Sequence, residues 1–355
     1  MNVTSQEGCI VWSTNLSQPV LAPMHHTMHG IDGSWPCWLL LLLLLHRIAV
    51  ASSKRTTVVM RLAAGGLVLG SSDTQHTNGV LYASTTSLVS DTDARGVLYA
   101  LDVNLGVIIA HVASTSVDGA ITYPIHSAVT LVNCPMSPFL GMIFMPFGPR
   151  IVALLPVDLT VVAELPVNFT IANDPFQSSL AMAGDCRTMF VQSRSRRVWK
   201  LNITGNSVAD MSLELMWRCQ YTPTESNCCV GQWCQDPANA VYDVPALPDL
   251  GDPTVTNVFS TPALNPVNNE FVVGLTDPYL PSPDIKGGIY SADQDTGYCI
   301  KRLTEYESLN IGSVRSSAAI DPNGRVYIGS DTASGDQTEP VLYALDQHLE
   351  VEYVA

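Results

Sequence analysis

The hexapeptide VLYALD occurs twice in this chain, at Val97 to Asp102 and at Val341 to Asp346. Each copy follows a glycine-containing turn and an alternating β-branched and aromatic run, NGVLYAS (78–84) before the first and DPNGRVYIGS (321–330) before the second. Such a run behind a turn reads as a hairpin strand, so the repeated unit is turn, strand, loop, strand. Weaker copies lie between. The first strand returns as GMIFMP (141–146), RTMFVQS (187–193) and NEFVVGL (269–275), and the second as IVALLPVD (151–158), RVWKLN (197–202) and GIYSAD (288–293). Second strands begin near 97, 151, 198, 289 and 341, a spacing of about 50 residues with one gap of about twice that. A degenerate copy is therefore expected between 205 and 260, disguised by a cysteine-rich stretch.

A period of about 50 residues made of short strands, with no helical spacing of apolar residues, predicts an all-β fold, a β-propeller of four-stranded blades. With 46% hydrophobic and only 14% charged residues, 24 Gly and 23 Pro, the composition suits short strands joined by turns. VLYAL is apolar on both of its alternating faces. A propeller blade is packed between two neighbours and buries both, whereas a strand of an isolated sandwich keeps one face wet. Tyr99 and Tyr343 are accordingly expected at equivalent buried places between blades. Asp102, Asp293 and Asp346, with Asn202 in the same role, are expected to end their strands where a turn begins.

AIDPNGRVYIGSD followed by VLYALD in the last repeat, NGVLYAS with GVLYALDVNLG in the first, and GGIYSADQDTG in the fifth resemble the pyrroloquinoline-quinone-type β-propeller repeats. These occur in quinoprotein alcohol dehydrogenases and in the non-catalytic outer-membrane assembly lipoproteins. The resemblance runs from about Leu67 to Ala355. The tryptophan that the family places after the LD…G turn is absent here, with Ile109 or Ala110 following VNLG and Val354 in the last copy. Six units fit between Ser52 and Ala355, where the family has seven or eight blades. An open ring leaves sheet edges and a blade face wet, so the expectation is a truncated chain or six blades closed by an irregular seam.

The resemblance implies two activities. One is a non-catalytic, protein-binding scaffold or sensor, as in the assembly lipoproteins and in the lumenal sensor domains of unfolded-protein-response kinases, which are similar in fold. The alternative is a quinone- and calcium-dependent alcohol or sugar dehydrogenase. Such enzymes hold pyrroloquinoline quinone (PQQ) under a disulfide between adjacent cysteines, and Cys228–Cys229 is such a pair. The family's calcium-binding Glu, Asn and Asp and its catalytic Asp find no residue-by-residue match. The scaffold reading therefore leads, with no cofactor expected, and PQQ and calcium belong to the alternative.

Residues 38–52, WLLLLLLLHRIAVAS, hold seven consecutive leucines and then Ala49-Val50-Ala51. The run is too short to span a bilayer and fits a signal-peptide core with cleavage after Ala51. Residues 1–51 are read as the leader, those before Met28 as an extension of the gene model, and 52–355 as the propeller, without a membrane span. Cleavage leaves Cys134, Cys186, Cys219, Cys228, Cys229, Cys234 and Cys299, four of them within CQYTPTESNCCVGQWC (219–234) in an insert at about 216–260. In the secretory pathway, outside the cell or in an organelle lumen, that crowding predicts local disulfides among Cys219, Cys228, Cys229 and Cys234, with one thiol of the seven left over. Adjacent cysteines without a nearby His fit zinc spacings badly. Sequons mark Asn168 and Asn202 as glycosylation candidates.

A formal charge of −15 opposes a phosphate backbone, so nucleic acid is not an expected partner. A protein is, and the acidic, proline-rich run DVPALPDLGDPTV (243–255) reads as an exposed contact loop. DTDARG (91–96) and DQDTG (293–297) alternate carboxylates as calcium loops do, but lack the distal Glu of an EF-hand and read as turns. His76, His111, His126 and His348 stand isolated in sequence, and Ser-elbow, P-loop and zincin patterns are absent.

Overall fold

The computed structural model describes residues 60–61, 68–69, 79–90, 93–102, 105, 107–115, 123, 125–166, 174–194, 197–220, 260–276, 287–304, 311–331 and 340–354. They form five antiparallel sheets in chain order. The first holds β1 (Met60–Arg61), β2 (Val68–Leu69), β3 (Val80–Ser90), β4 (Asp93–Asp102) and β5 (Ile108–Ala113), with β1 and β2 both pairing β3. The second holds β6 (Thr130–Leu131), β7 (Ile143–Phe147), β8 (Arg150–Leu154) and β9 (Val161–Glu164), and the third β10 (Ala181–Met182), β11 (Thr188–Gln192), β12 (Arg197–Thr204) and β13 (Ser212–Gln220). The fourth holds β14 (Ala263–Leu264), β15 (Glu270–Thr276), β16 (Gly287–Asp293) and β17 (Cys299–Thr304), and the fifth β18 (Ala319–Ile320), β19 (Val326–Asp331), β20 (Pro340–Leu345) and β21 (Val351–Val354). Four-stranded meanders following one another in this way are propeller blades.

One irregularity fixes the equivalence of the five sheets. The ladder between the last two strands slips once in each, at Ala100/Leu101, Ala153/Leu154, Lys200/Leu201, Ser291/Ala292 and Ala344/Leu345. Bulges re-aim a strand and strengthen its twist, and a slip at the same step each time is part of the unit. It aligns Leu98, Ile151, Val198, Ile289 and Leu342 on one face of the sheets, and Tyr99, Val152, Trp199, Tyr290 and Tyr343 on the other.

Four buried clusters join consecutive sheets. Leu98 and Tyr82 of the first sheet pack with Ile143, Val152 and Leu154 of the second, and Ile151 and Phe144 of the second with Val191, Trp199 and Leu201 of the third. Phe190, Val198 and Trp217 of the third meet Phe271, Val273 and Tyr290 of the fourth, and Val272 and Ile289 of the fourth meet Val326, Ile328, Tyr343 and Leu345 of the fifth. The Leu98-type position thus faces the following sheet and the Tyr99-type position the preceding one. Phe190, Trp217 and Phe271 have ring centroids 5.5–6.0 Å apart across the third interface, within the range in which offset and tilted rings attract.

Because the third and fourth sheets touch directly, no sheet stands between them. The degenerate copy expected between 205 and 260 is divided instead. Residues 205–211 link β12 to β13, β13 is the last strand of the third sheet, and 221–259 lie outside the described residues. Residues 216–220, read as the start of the insert, belong to that strand. The expected equivalence of Tyr99 and Tyr343 holds for position and fails for burial: Tyr343 is 3% exposed, whereas Tyr99 is half-buried.

In an antiparallel meander the connections fall alternately at opposite ends. One face of the molecule therefore carries the links between first and second and between third and fourth strands; the described ones are 132–142, 183–187, 265–269 and 321–325, then 155–160, 205–211, 294–298 and 346–350, all short except 132–142. Asx turns close many of them. The Asp102 Oδ1 accepts the Leu105 N–H at 2.8 Å, that of Asp293 the N–H groups of Asp295 and Thr296, and that of Asp346 those of His348 and Glu350. Asp185 and Asp321 do the same in other turns of this face. Asn202 departs from the expectation, because β12 continues to Thr204 and pairs Asn202 with Thr188 and Glu214. Asp210 holds that turn instead, accepting from the N–H groups of Asn206 and Ser207.

Candidate functional site

At the opposite face the chain leaves each sheet and enters the next, and the described parts of those connections are 114–115, 123, 125–129, 165–166, 174–180, 260–262 and 311–318. We call it the loop face. Its floor is built where the first strands converge. Two residues ahead of the first strand in successive sheets stand Ala128, Ser179, Thr261 and Ser317. The Ala128 N–H donates to Ser179 Oγ at 2.8 Å, the Ser179 N–H to Thr261 Oγ1 at 3.1 Å, and the Thr261 N–H to Ser317 Oγ at 2.9 Å. These bonds form a ladder running from sheet to sheet around the inner edge, so each sheet's amide is satisfied by the next sheet's side chain.

A second serine series stands one residue earlier, at Ser127, Ser178, Ser260 and Ser316. Within their own sheets, Ser178, Ser260 and Ser316 accept the N–H groups of Gln192, Gly274 and Gly329 at 2.8–2.9 Å. The equivalent donor position in the second sheet is Pro146, which has no N–H. Ser127 Oγ is accordingly buried without a partner. The Gln192 side chain is fully buried at the loop-face end of β11, with neither amide atom hydrogen-bonded. Beside the ladder, His126 and Arg315 occupy equivalent positions, and burial lowers the His126 pKa from its ordinary 6.5.

A buried polar knot fastens the 165–180 link to the third sheet. The Asp174 carboxylate accepts from the Arg197 guanidinium and the Ser193 hydroxyl, both at 2.8 Å, and the Trp199 indole N–H donates to Ser193 Oγ at 3.2 Å. Arg218 lies 5.2 Å over the Trp199 ring. Each charge is matched by an opposite charge or a ring face, which is the condition for keeping them buried. A shallow cavity of about 270 Å³ opens between the fourth and fifth sheets, lined by Glu270, Ser291, Ile300, Lys301, His348 and Glu350. Lys301 pairs there with Glu350, and the Ser291 hydroxyl donates to Glu270.

Of the disulfide candidates, Cys219 lies on β13, fully buried between the third and fourth sheets and disulfide-bonded. Cys228, Cys229 and Cys234 lie outside the described residues, as do Asn168 and the 243–255 run. Asn202 is half-buried within β12. Two features escaped the sequence reading. Cys299 on β17 is also disulfide-bonded. A bridge also joins Cys134 to Cys186, 52 residues apart with 6.3 Å between Cα atoms, tying the 132–142 link of the second sheet to the 183–187 link of the third. Both bridged residues sit in links between first and second strands, a shared location that the repeat alignment reveals.

The DQDTG run is a turn: Asp293 is occupied by backbone amides, and Asp295 bonds Lys200 and Asn269. Asp295 is held below its ordinary pKa by these two partners, Lys200 first. Among the described residues no three His, Cys, Asp or Glu side chains gather around a common point.

No family model and no curated protein matches this chain. Solved structures resemble it in fold. BamB from Moraxella catarrhalis aligns over 84% of this chain and 77% of its own, with 12% identity and a TM-score of 0.38. Quinohemoprotein alcohol dehydrogenase from Comamonas testosteroni aligns over 83% of this chain at 14% identity and a TM-score of 0.46, and this chain spans 43% of its length. The C-terminal domain of PilY1 from Pseudomonas aeruginosa aligns over 80% of this chain and 69% of its own, at 9% identity and a TM-score of 0.48. BamB and the quinoprotein dehydrogenases are PQQ-like β-propeller repeat proteins, and the similarity is structural, at identities that bear on the fold alone.

Proposed function

We propose that this chain is a non-catalytic binding propeller of the secretory pathway that engages a protein partner on its loop face. The observation that carries the reading is the contrast between the two faces. One is closed by short links apart from 132–142, many held by Asx turns; at the other the chain leaves one sheet and enters the next, and the sequence between sheets is longer (114–129, 165–180, 221–262 and 305–318). Long links on a rigid scaffold are where binding residues concentrate. Oxidised cysteines at Cys134, Cys186, Cys219 and Cys299 support an oxidising compartment. The hydroxyls of the inner ladder each take a backbone amide, a structural use rather than a nucleophilic one.

A photo-crosslinking side chain placed at exposed Arg315 on the loop face and, separately, at exposed Asn323 on the opposite face tests the reading in secreting cells. Capture of the same protein from Arg315 and not from Asn323 is the expected result, and equal capture from both overturns it. The dehydrogenase alternative is tested by adding PQQ and calcium to purified protein. A stoichiometric chromophore with alcohol-dependent dye reduction would replace the scaffold reading.

A further inference from the structure

The cavity between the fourth and fifth sheets lies where the repeat exchanges large side chains for small ones. At the interface before it, three residues of the third sheet share one face: Phe190 on β11, Lys200 on β12 and, paired across the ladder from Lys200, Trp217 on β13. The Lys200 Nζ lies over the Phe190 ring, 5.9 Å from its centroid, and reaches across to Asp295 of the fourth sheet at 3.2 Å. The bulge register aligns these three with Val272, Ser291 and Lys301 of the fourth sheet. It also aligns Asp295 with His348, each two residues past the aspartate of its turn. All three fourth-sheet side chains are smaller than their counterparts, and the space between the sheets there is the cavity of about 270 Å³.

The group exchanged at the Ser291 position is an alkylammonium, and a carboxylate faces the gap. The Ser291 hydroxyl donates to Glu270, which lines the cavity. The same register places Val80, Met142 and Thr188 at the Glu270 position in the first three sheets, the first two buried and apolar. Glu270 is half-buried, and among the described residues no cation pairs with it. A carboxylate partly removed from water without a countercharge favours a cation beside it. The one lysine of the lining, Lys301, is already paired with Glu350, and exposed Ile300 adds apolar surface at the mouth. We infer that this cavity binds a protonated alkylamine, its ammonium on the Glu270 carboxylate and the Ser291 hydroxyl oxygen and its chain against Ile300, supplying from outside the group that Lys200 builds into the preceding interface. The site sits at the end of the sheets away from the loop face and is independent of a partner bound there. A free amine and the lysine side chain of another protein present the same group, and the test separates them.

Calorimetric titration of the purified full chain near neutral pH decides it, with n-pentylamine, Nα-acetyl-lysine methylamide and, as the uncharged control, n-pentanol. Saturable binding of an amine and none of n-pentanol is the expected result. Uptake of the capped lysine assigns the site to a protein side chain, and uptake of n-pentylamine alone assigns it to a free amine. Glu270→Gln keeps the shape and removes the charge, so it should weaken binding by about tenfold or more while keeping the wild-type circular dichroism. Ser291→Lys combined with His348→Asp rebuilds the lysine and aspartate of the preceding interface, and should abolish binding and raise the unfolding midpoint. Glu352→Gln changes an acid of the fifth sheet outside the cavity and should leave the affinity unchanged. No saturable binding of either amine, equal binding of n-pentanol, an affinity unmoved by Glu270→Gln, binding that survives the rebuilt pair, or an equal loss in Glu352→Gln overturns the inference.

Discussion

The two copies of VLYALD have the same six residues, the same strand position and the same bulge, yet opposite members of each are buried. In β4, Leu98 is 0% exposed and Tyr99 half-buried; in β20, Leu342 is 47% exposed and Tyr343 only 3%. The first copy is covered by the sheet that follows it, the second by the sheet that precedes it. Burial in a repeat array is thus a property of the neighbour and not of the strand.

The sharpest way to break this comparison is to truncate the aromatic of each copy. Tyr343→Ala should cost about 3–5 kcal/mol of unfolding free energy, the range for a large ring removed from a packed core. Tyr99→Ala should cost about 1–2 kcal/mol, because part of that ring is already wet. Equal losses in urea melts would put both tyrosines in equivalent surroundings.

The leucines should show the reverse order. Leu98→Ala opens a cavity between the first two sheets and should cost about 2–5 kcal/mol, whereas Leu342→Ala should fall within about 1 kcal/mol of wild type, as surface changes do. The inner serines extend the contrast to polar groups. Ser260→Ala strands the buried Gly274 amide and should cost about 1–3 kcal/mol, while Ser127→Ala removes a hydroxyl that has no partner and should be neutral or slightly stabilising. Thermal or urea unfolding of the two serine variants side by side gives the answer.

The smallest effect is one in which the copies should agree. Burial raises the phenol pKa of both Tyr99 and Tyr343 above the ordinary 10.0, against a lowering hydrogen bond with Ser330 at Tyr343. A raised folded pKa means that the unfolded chain ionises first as pH climbs. The associated stability is full below about pH 10 and declines from there toward the raised values. Phenylalanine at either position should flatten that alkaline decline, measured as the unfolding midpoint against pH; a steeper decline in either variant would contradict the burial.

Much of the architecture was legible because the repeat is periodic and the turn residues act locally. Asp102, Asp293 and Asp346 bond the backbone within four residues, so a sequence pattern suffices to find them. Asn202 misled for the same reason: the residue type suits a turn, but β12 runs on because Ile203 is fully buried in the core shared with the second sheet. Contacts between sheets were not legible. The Cys134–Cys186 bridge connects corresponding links of successive repeats and the inner ladder connects equivalent positions, and neither has a local signature. Only the structural register shows that Ser179, Thr261 and Ser317 stand in one file, and that Pro146 removes the donor that Ser127 lacks. The candidate site was the least legible part, since a binding face is a gathering of links whose shared location follows from strand direction.

The ladder of hydroxyls also has a direction. In each rung the amide belongs to the earlier sheet and the side chain to the later one, from Ala128 to Ser179, Ser179 to Thr261 and Thr261 to Ser317. Were the fifth sheet to fray, Thr261 would be left with an unanswered N–H, and the fourth sheet would loosen with it. Were the second sheet to fray, the third would lose no partner for its own amide at this edge. Nearest-neighbour coupling in this array is therefore asymmetric, and local opening should spread more readily from the fifth sheet back toward the second than from the second sheet forward.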